Sequence, residues 1–105
     1  MSDDCRKVSV VIDDREARSG LPEILGSLEE VEVSFRRLPL GDYVVDGLFL
    51  FERKRLPDFA ASIRDGRLFQ QTARLALSEK RSALILEGRG RDLAACGTIL
   101  NFPRL

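Results

Sequence analysis

The dipeptide Asp46-Gly47 stands between two apolar runs, Tyr43-Val44-Val45 and Leu48-Phe49-Leu50-Phe51. An Asp-Gly pair in that setting suits a two-residue hairpin turn, whose central residues both need positive φ. The chain is therefore expected to double back here. The reversal constrains what surrounds it, because it carries Asp42 on one arm toward Glu52 on the other. Pro39 and Gly41, just before the first arm, mark irregular backbone.

Other segments show their own periods. Residues 8–12 (VSVVI) are β-prone and run into the acids of DDRE. Residues 22–29 are expected to form a short helix, with Pro22 early, Ile24, Leu25 and Leu28 on one side, and Gly26 weakening it. Residues 31–37 alternate, placing Val31, Val33 and Phe35 on one face of a strand. Residues 57–64 read as a helix with Pro57 and Asp58 in its first turn, and Asp65-Gly66 interrupts it. Residues 67–79 form the best helix. Leu68, Thr72 and Leu75 trace one side, and Phe69, Ala73, Ala76 and Leu77 broaden its apolar face. Phe59, Ile63, Phe69 and Leu75 are expected in the core. Residues 82–87 are almost continuously apolar, the pattern of a central strand covered on both faces. Residues 92–100 read as a helix or an ill-defined end. Interleaved strands and helices in 105 residues make one α/β domain.

Charge excludes less than it permits. There are 17 basic and 17 acidic residues, so the formal net charge is zero. A protein that coats nucleic acid is usually basic, so the total does not suggest one, although local patches can differ. Fourteen of the basic residues are arginine, whose forked donors match phosphate but also make ordinary ion pairs. Cys5 and Cys96 form no C-x-x-C pair and no histidine accompanies them, which argues against structural zinc and leaves a disulfide open. No signal peptide precedes the first strand and no run approaches 18 apolar residues, so an intracellular protein without membrane contact is expected. GRGRD at 88–92 lacks the glycine spacing of a dinucleotide loop, and no phosphate-loop lysine motif is present.

The chemistry concentrates after the hairpin. On a strand, Leu50, Glu52 and Lys54 share one face, and Phe51 and Arg53 the other. An acid and a lysine two apart suit metal-assisted phosphodiester hydrolysis. The carboxylate holds a hard cation such as Mg2+, with Mn2+ as a substitute, and the lysine stabilises charge on the phosphate or orients water. Alone, the pattern equally describes a cross-strand ion pair. Asp42 on the partner arm adds a second carboxylate, so Asp42, Glu52 and the carbonyl of Arg53 form a candidate metal site. Asp13 and Glu16 lie within reach of the same cluster, and Asp58 of Arg53 or Lys54.

In order along the chain, VVIDDRE (10–16), LPLGDYVV (38–45), FERKRLPDF (51–59) and SIRDGRLFQQTARL (62–75) resemble the nuclease domain of the XPF-type structure-specific endonucleases. The signature G-D…E-R-K-x-x-x-D is reproduced by Gly41, Asp42, Glu52, Arg53, Lys54 and Asp58. The resemblance covers residues 8–87. It implies a restriction-endonuclease-like core, a central mixed β-sheet flanked by helices. It implies Asp13, Asp42 and Glu52 as metal ligands, Glu16 as a ligand or outer-shell residue, and Arg53 and Lys54 as catalytic or phosphate-contacting groups supported by Asp58. Arg15, Arg67 and Gln70 would lie beside the site as possible DNA contacts. The alternative for Arg67 and Gln70 is a solvated helix face; Arg18, Arg36, Arg37 and Arg55 read as ordinary surface first and as DNA contacts second.

The family cuts duplex DNA near branches, flaps or forks and works as dimers, so branched or double-stranded DNA and an identical or related partner domain are the expected partners, in the cytoplasm or nucleoid or in a nucleus. Family members commonly add a tandem helix-hairpin-helix module. Residues 1–105 are expected to be a nuclease domain without that module and without its C-terminal part. Two alternatives stay open: a catalytically inactive DNA-binding or scaffold domain of the same fold, and a nuclease of the same fold acting on plain duplex.

Overall fold

A computed structural model describes residues 6–95, with side chains as far as Asp92. Cys5, Cys96 and the second half of the 92–100 segment lie outside the described residues. The elements follow the expected order. They are β1 (Val8–Asp13), a 3-10 turn (Asp14–Glu16), α1 (Leu21–Gly26), β2 (Val31–Arg36), β3 (Tyr43–Val45), β4 (Phe49–Arg55), α2 (Leu56–Arg64), α3 (Arg67–Ala76), β5 (Arg81–Glu87) and α4 (Gly90–Ala95).

The five strands form one mixed sheet in the order β2-β1-β3-β4-β5. The outer pairs β1–β2 and β4–β5 are parallel, and β3 runs antiparallel to both its neighbours. Strands β1 and β4 therefore point the same way, while their crossovers lead to opposite edges. Crossovers of one hand that run in opposite directions put their helices on opposite faces. Accordingly, Leu21 and Leu25 of α1 pack with Val10, Ile12, Tyr43 and Phe51 on one face. On the other, Leu75 of α3 packs with Leu38, Val44 and Leu50.

The hairpin forms where the Asp-Gly pair placed it. Asp46 and Gly47 have φ of 52° and 68°, and Leu48 N–H donates to the Val45 carbonyl at 3.0 Å. Two consecutive positive φ values match the right-handed twist of the arms. The turn is also tied sideways: Asp46 Oδ1 accepts the Ser9 N–H at 2.9 Å, and Asp46 N–H donates to the Ser9 carbonyl at 2.8 Å.

Three expectations are corrected. Among the described residues strand β5 is not central but an edge, and most of it is exposed, including Ile85 and Leu86. Its apolar run therefore records surface that these residues leave uncovered. In α3 the side carrying Leu68, Gln71, Thr72 and Leu75 turns inward; Phe69 is 80% exposed and Leu77 86%, because among the described residues nothing packs on the outer side of α3. The first helix is shorter than expected and stops at Gly26, leaving Leu28 exposed.

Gly41 fixes how closely the chain before β3 approaches β4. Its φ is +76°, and a Cβ there would stand 2.4 Å from Leu50 Cδ1 and 2.9 Å from Leu50 Cγ. Leu50 is 3% exposed and has no room to yield. Gly41→Ala is expected to destabilise by about 2–4 kcal/mol, combining left-handed strain with overpacking. Gly47→Asn, at positive φ but in open space, is expected to cost less than about 1 kcal/mol. Denaturant midpoints check both; equal losses would show that the Leu50 contact does not set the difference.

Candidate active site

In open α/β sheets, sites form beyond the carboxyl ends of strands where crossovers diverge. Here β1 and β4 both end at one edge of the sheet, in Asp13 and in Lys54-Arg55, and the antiparallel β3 begins there. Asp42 is the residue just before β3. Its N–H donates to the Phe51 carbonyl at 2.8 Å and its carbonyl accepts the Asp13 N–H at 2.9 Å. Its carboxylate Oδ2 accepts the Arg53 N–H at 2.8 Å. Asp42 is thereby fastened to both flanking strands, and its carboxylate lies beside the backbone that carries Glu52.

Asp42 and Glu52 line one cleft of about 300 Å³ with Arg15, Pro39, Leu40, Gly41 and Arg74. Burial pushes the Asp42 carboxyl up to about 6; the Arg53 N–H opposes the rise, and the charges of Glu16, Glu52 and Asp13 add to it. Among the described residues, Glu52 and Lys54 make no hydrogen bond or ion pair with another side chain. Both are half-buried on the α2–α3 face. The cross-strand ion pair that the bare E-x-K pattern also allowed is therefore not formed.

Asp13 is engaged by protein donors. Its side chain is fully buried, and four donors fill its carboxylate. Oδ2 accepts the Arg15 N–H at 3.0 Å and Nε at 2.6 Å; Oδ1 accepts Arg15 Nη2 at 3.1 Å and the Leu38 N–H at 2.8 Å. A carboxylate has about four acceptor positions, so none is left for a cation while Arg15 stays. The Arg15 guanidinium holds this carboxyl far below the usual carboxylate range, against the burial that would raise it. Arg15 also donates from Nη2 to the Leu38 carbonyl at 3.2 Å.

Arg53 lies on the opposite sheet face from Glu52 and Lys54, as alternation requires. It pairs with Glu87 and, at 3.6 Å, with Glu16. Glu16 accepts the Tyr43 hydroxyl at 2.7 Å, and burial together with Glu16 pushes that phenol up to about 12. Glu16 and the Arg53 guanidinium thus brace the back of the site, and only the Arg53 backbone reaches Asp42. Asp58 is exposed in the first turn of α2 and makes no ion pair with Arg53 or Lys54. Arg67 pairs with Asp65 at 3.2 Å, and Gln70 is exposed.

Residues 12–98 match the ERCC4 domain. The chain belongs to the ERCC4-domain family. It is 36% identical over 86 residues to the 3′-flap repair endonuclease Xpf of Saccharolobus solfataricus, covering 82% of this chain and 36% of that protein. It is 32% identical over 93 residues to the DNA repair endonuclease XPF of Cricetulus griseus, covering 86% of this chain and 10% of that one. The structure of XPF from Aeropyrum pernix in complex with DNA superposes with a TM-score of 0.73 at 41% identity, over 89% of this chain and 51% of that chain. This ERCC4 domain thus has the restriction-endonuclease-like fold of the XPF nucleases, and it spans about half or less of these relatives.

One residue escaped the sequence reading: Arg74, which lines the cleft. Of the two glutamines at the helix edge, Gln71 rather than Gln70 turns inward from α3, its Oε1 buried without a partner among the described residues. The helical spacing 68, 71, 72, 75 carried the signal for Gln71, and Arg74 follows one turn later on the same side.

The two aspartates should respond to mutation with opposite signs. A carboxyl raised in the folded state adds stability below its unfolded value near 4 and loses it as pH rises through about 6. Asp42→Asn keeps an acceptor for Arg53 and should therefore be more stable than the parent by about 1–2 kcal/mol above pH 7, after solvent screening. The gap should close below about pH 4. Asp13→Ala strands the buried Leu38 N–H and should cost about 3 kcal/mol at neutral pH. Melting curves across pH decide; a gap for Asp42→Asn that is constant with pH would contradict the assigned cause.

Proposed function

We propose that this ERCC4 domain is a metal-dependent DNA endonuclease that hydrolyses phosphodiester bonds near branched, flap or fork junctions. One observation carries the reading. Asp42 and Glu52 line one cleft, and among the described residues Lys54, on the same strand face as Glu52, makes no ion pair. Its relatives' names, a 3′-flap repair endonuclease among them, support the same reaction.

The donor set fits magnesium. Two hard carboxylates suffice, because Mg2+ keeps several waters and takes one or two carboxylates plus phosphate oxygens. Burial, with the neighbouring acids adding to it, disfavours the ionised Asp42 carboxyl, and a cation held there would favour it. Asp42 and Glu52, which share the cleft, are the proposed holding pair, with Asp13 engaged by Arg15. A bound cation supplies charge neutralisation and a more acidic water.

The chain's own groups do the rest. The Lys54 ammonium stabilises the negative charge that builds on the phosphate oxygens as water attacks in line. Arg15 and Arg74, at the rim of the cleft, hold the strand's phosphate so that its phosphorus lies between the acids and Lys54. The P–O3′ bond breaks, giving a 3′-hydroxyl and a 5′-phosphate. Exposed Phe69, Leu77 and Ile85 offer apolar surface that pairing with an identical or related domain would cover.

Labelled flap, fork and linear duplex DNA, incubated with magnesium or manganese, tests the reading. The parent should cut near the branch, and Glu52→Gln and Lys54→Ala should lower the rate by about a hundred- to ten-thousandfold. Magnesium should raise the melting temperature of the parent and not that of Glu52→Gln. A folded parent that binds DNA but cuts none would instead support a scaffold.

A further inference from the structure

A second, larger cleft opens on the same face as Glu52 and Lys54. It holds about 480 Å³ and runs the length of β3, from Pro39 and Leu40 down to Gly47. Pro39 and Leu40 also line the acidic cleft, so the two clefts adjoin the same segment. Its floor is aliphatic: Val11, Leu38, Val44 and Leu50. Among the described residues, its charged lining is Arg36, from β2, and Lys80, just before β5, and no carboxylate lines it. Among the described residues neither cation makes an ion pair. In a chain with zero formal net charge, two unopposed cations over an apolar floor are a local feature.

We infer that this cleft binds an unpaired nucleotide of the substrate, its base on the aliphatic floor and its phosphates at Arg36 and Lys80. The inference rests on the nuclease reading for its substrate and extends it to how an unpaired arm is told from duplex. A duplex offers a protein its phosphates and the edges of its bases; the base faces are stacked on one another. Only an unpaired strand presents a base face to an apolar floor, and such contacts are largely indifferent to sequence. The volume lies within the roughly 300–1,000 Å³ range of sites for small organic ligands, enough for a nucleotide. The shared border at Pro39 and Leu40 places that nucleotide beside the strand that enters the acidic cleft. Selectivity for branched DNA then has a place within the nuclease domain itself.

The test uses the whole chain with a fluorescent oligothymidylate and a linear duplex, in EDTA so that binding is read apart from cleavage. Arg36→Gln/Lys80→Gln should bind oligothymidylate about tenfold more weakly than the parent. The slope of log affinity against log salt should shrink by about 1.4, since each single-strand phosphate contact contributes about 0.7. Duplex binding should change much less, and Arg36→Lys/Lys80→Arg should restore the single-strand affinity. With magnesium, the parent should prefer flap over linear duplex, and the double glutamine variant should lose that preference while still cutting.

Unchanged oligothymidylate binding would overturn the inference, as would an equal loss for duplex, or self-association altered by the substitutions in place of DNA binding. A parent that cuts no DNA, yet whose oligothymidylate binding depends on Arg36 and Lys80, would overturn the nuclease reading and leave the cleft.

Discussion

The carboxylate of Asp13, buried at the end of β1, holds the chain's most consequential set of hydrogen bonds. It closes the 3-10 turn through Arg15 and reaches across 25 positions of sequence to the Leu38 N–H. That contact fixes where the irregular segment 37–42 leaves the surface and enters the sheet. The Asp13 N–H then meets the Asp42 carbonyl, and Asp42 in turn binds Phe51 and Arg53 of β4 through its backbone and side chain. A buried ionised group is costly unless every acceptor position is filled, and here all are. The candidate site is therefore built from the inside out: a satisfied buried acid supports a half-buried acid that is not satisfied.

That contrast gives the two aspartates different work. Asp13 spends its charge on Arg15 and on a backbone donor, which is a stabilising arrangement. Asp42 is half-buried, receives a single backbone donor and faces the charges of Glu16, Glu52 and Asp13, so burial first and those charges second disfavour its ionised form in the folded chain. Structures tolerate such local conflict where function requires it. The arginines divide in the same way. The Arg53 side chain faces Glu16 and Glu87 behind the sheet, while Arg15 and Arg74 border the cleft.

Much of this was legible in the sequence because it depends on short-range rules. Asp46-Gly47 announces its own turn geometry, alternation along β4 puts Glu52 with Lys54 and turns Arg53 away, and Pro22 and Pro57 open their helices. The interleaving of strands and helices sufficed for the fold class. What stayed hidden depends on contacts distant in sequence. Strand β5 looks central because Ala83-Leu84-Ile85-Leu86 are apolar, yet composition cannot say which elements will cover a strand. Phe69 and Leu77 looked like core for the same reason. The motif that places Asp13 among the acids is silent on its orientation, which depends on a donor at Leu38. Arg74 reaches the cleft only because α3 packs across β5 toward Leu38 and Leu50, a matter of tertiary packing.

Where a divalent cation binds tests the central claim most directly. An anomalous difference map from a manganese-soaked crystal of this chain locates the ion without reference to activity. The expected peak lies between the carboxylates of Asp42 and Glu52, with Asp13 still bound to Arg15 and the Leu38 N–H. A peak on Asp13 after it has left Arg15, or no peak in the cleft at saturating manganese, would contradict the division of roles between the two aspartates.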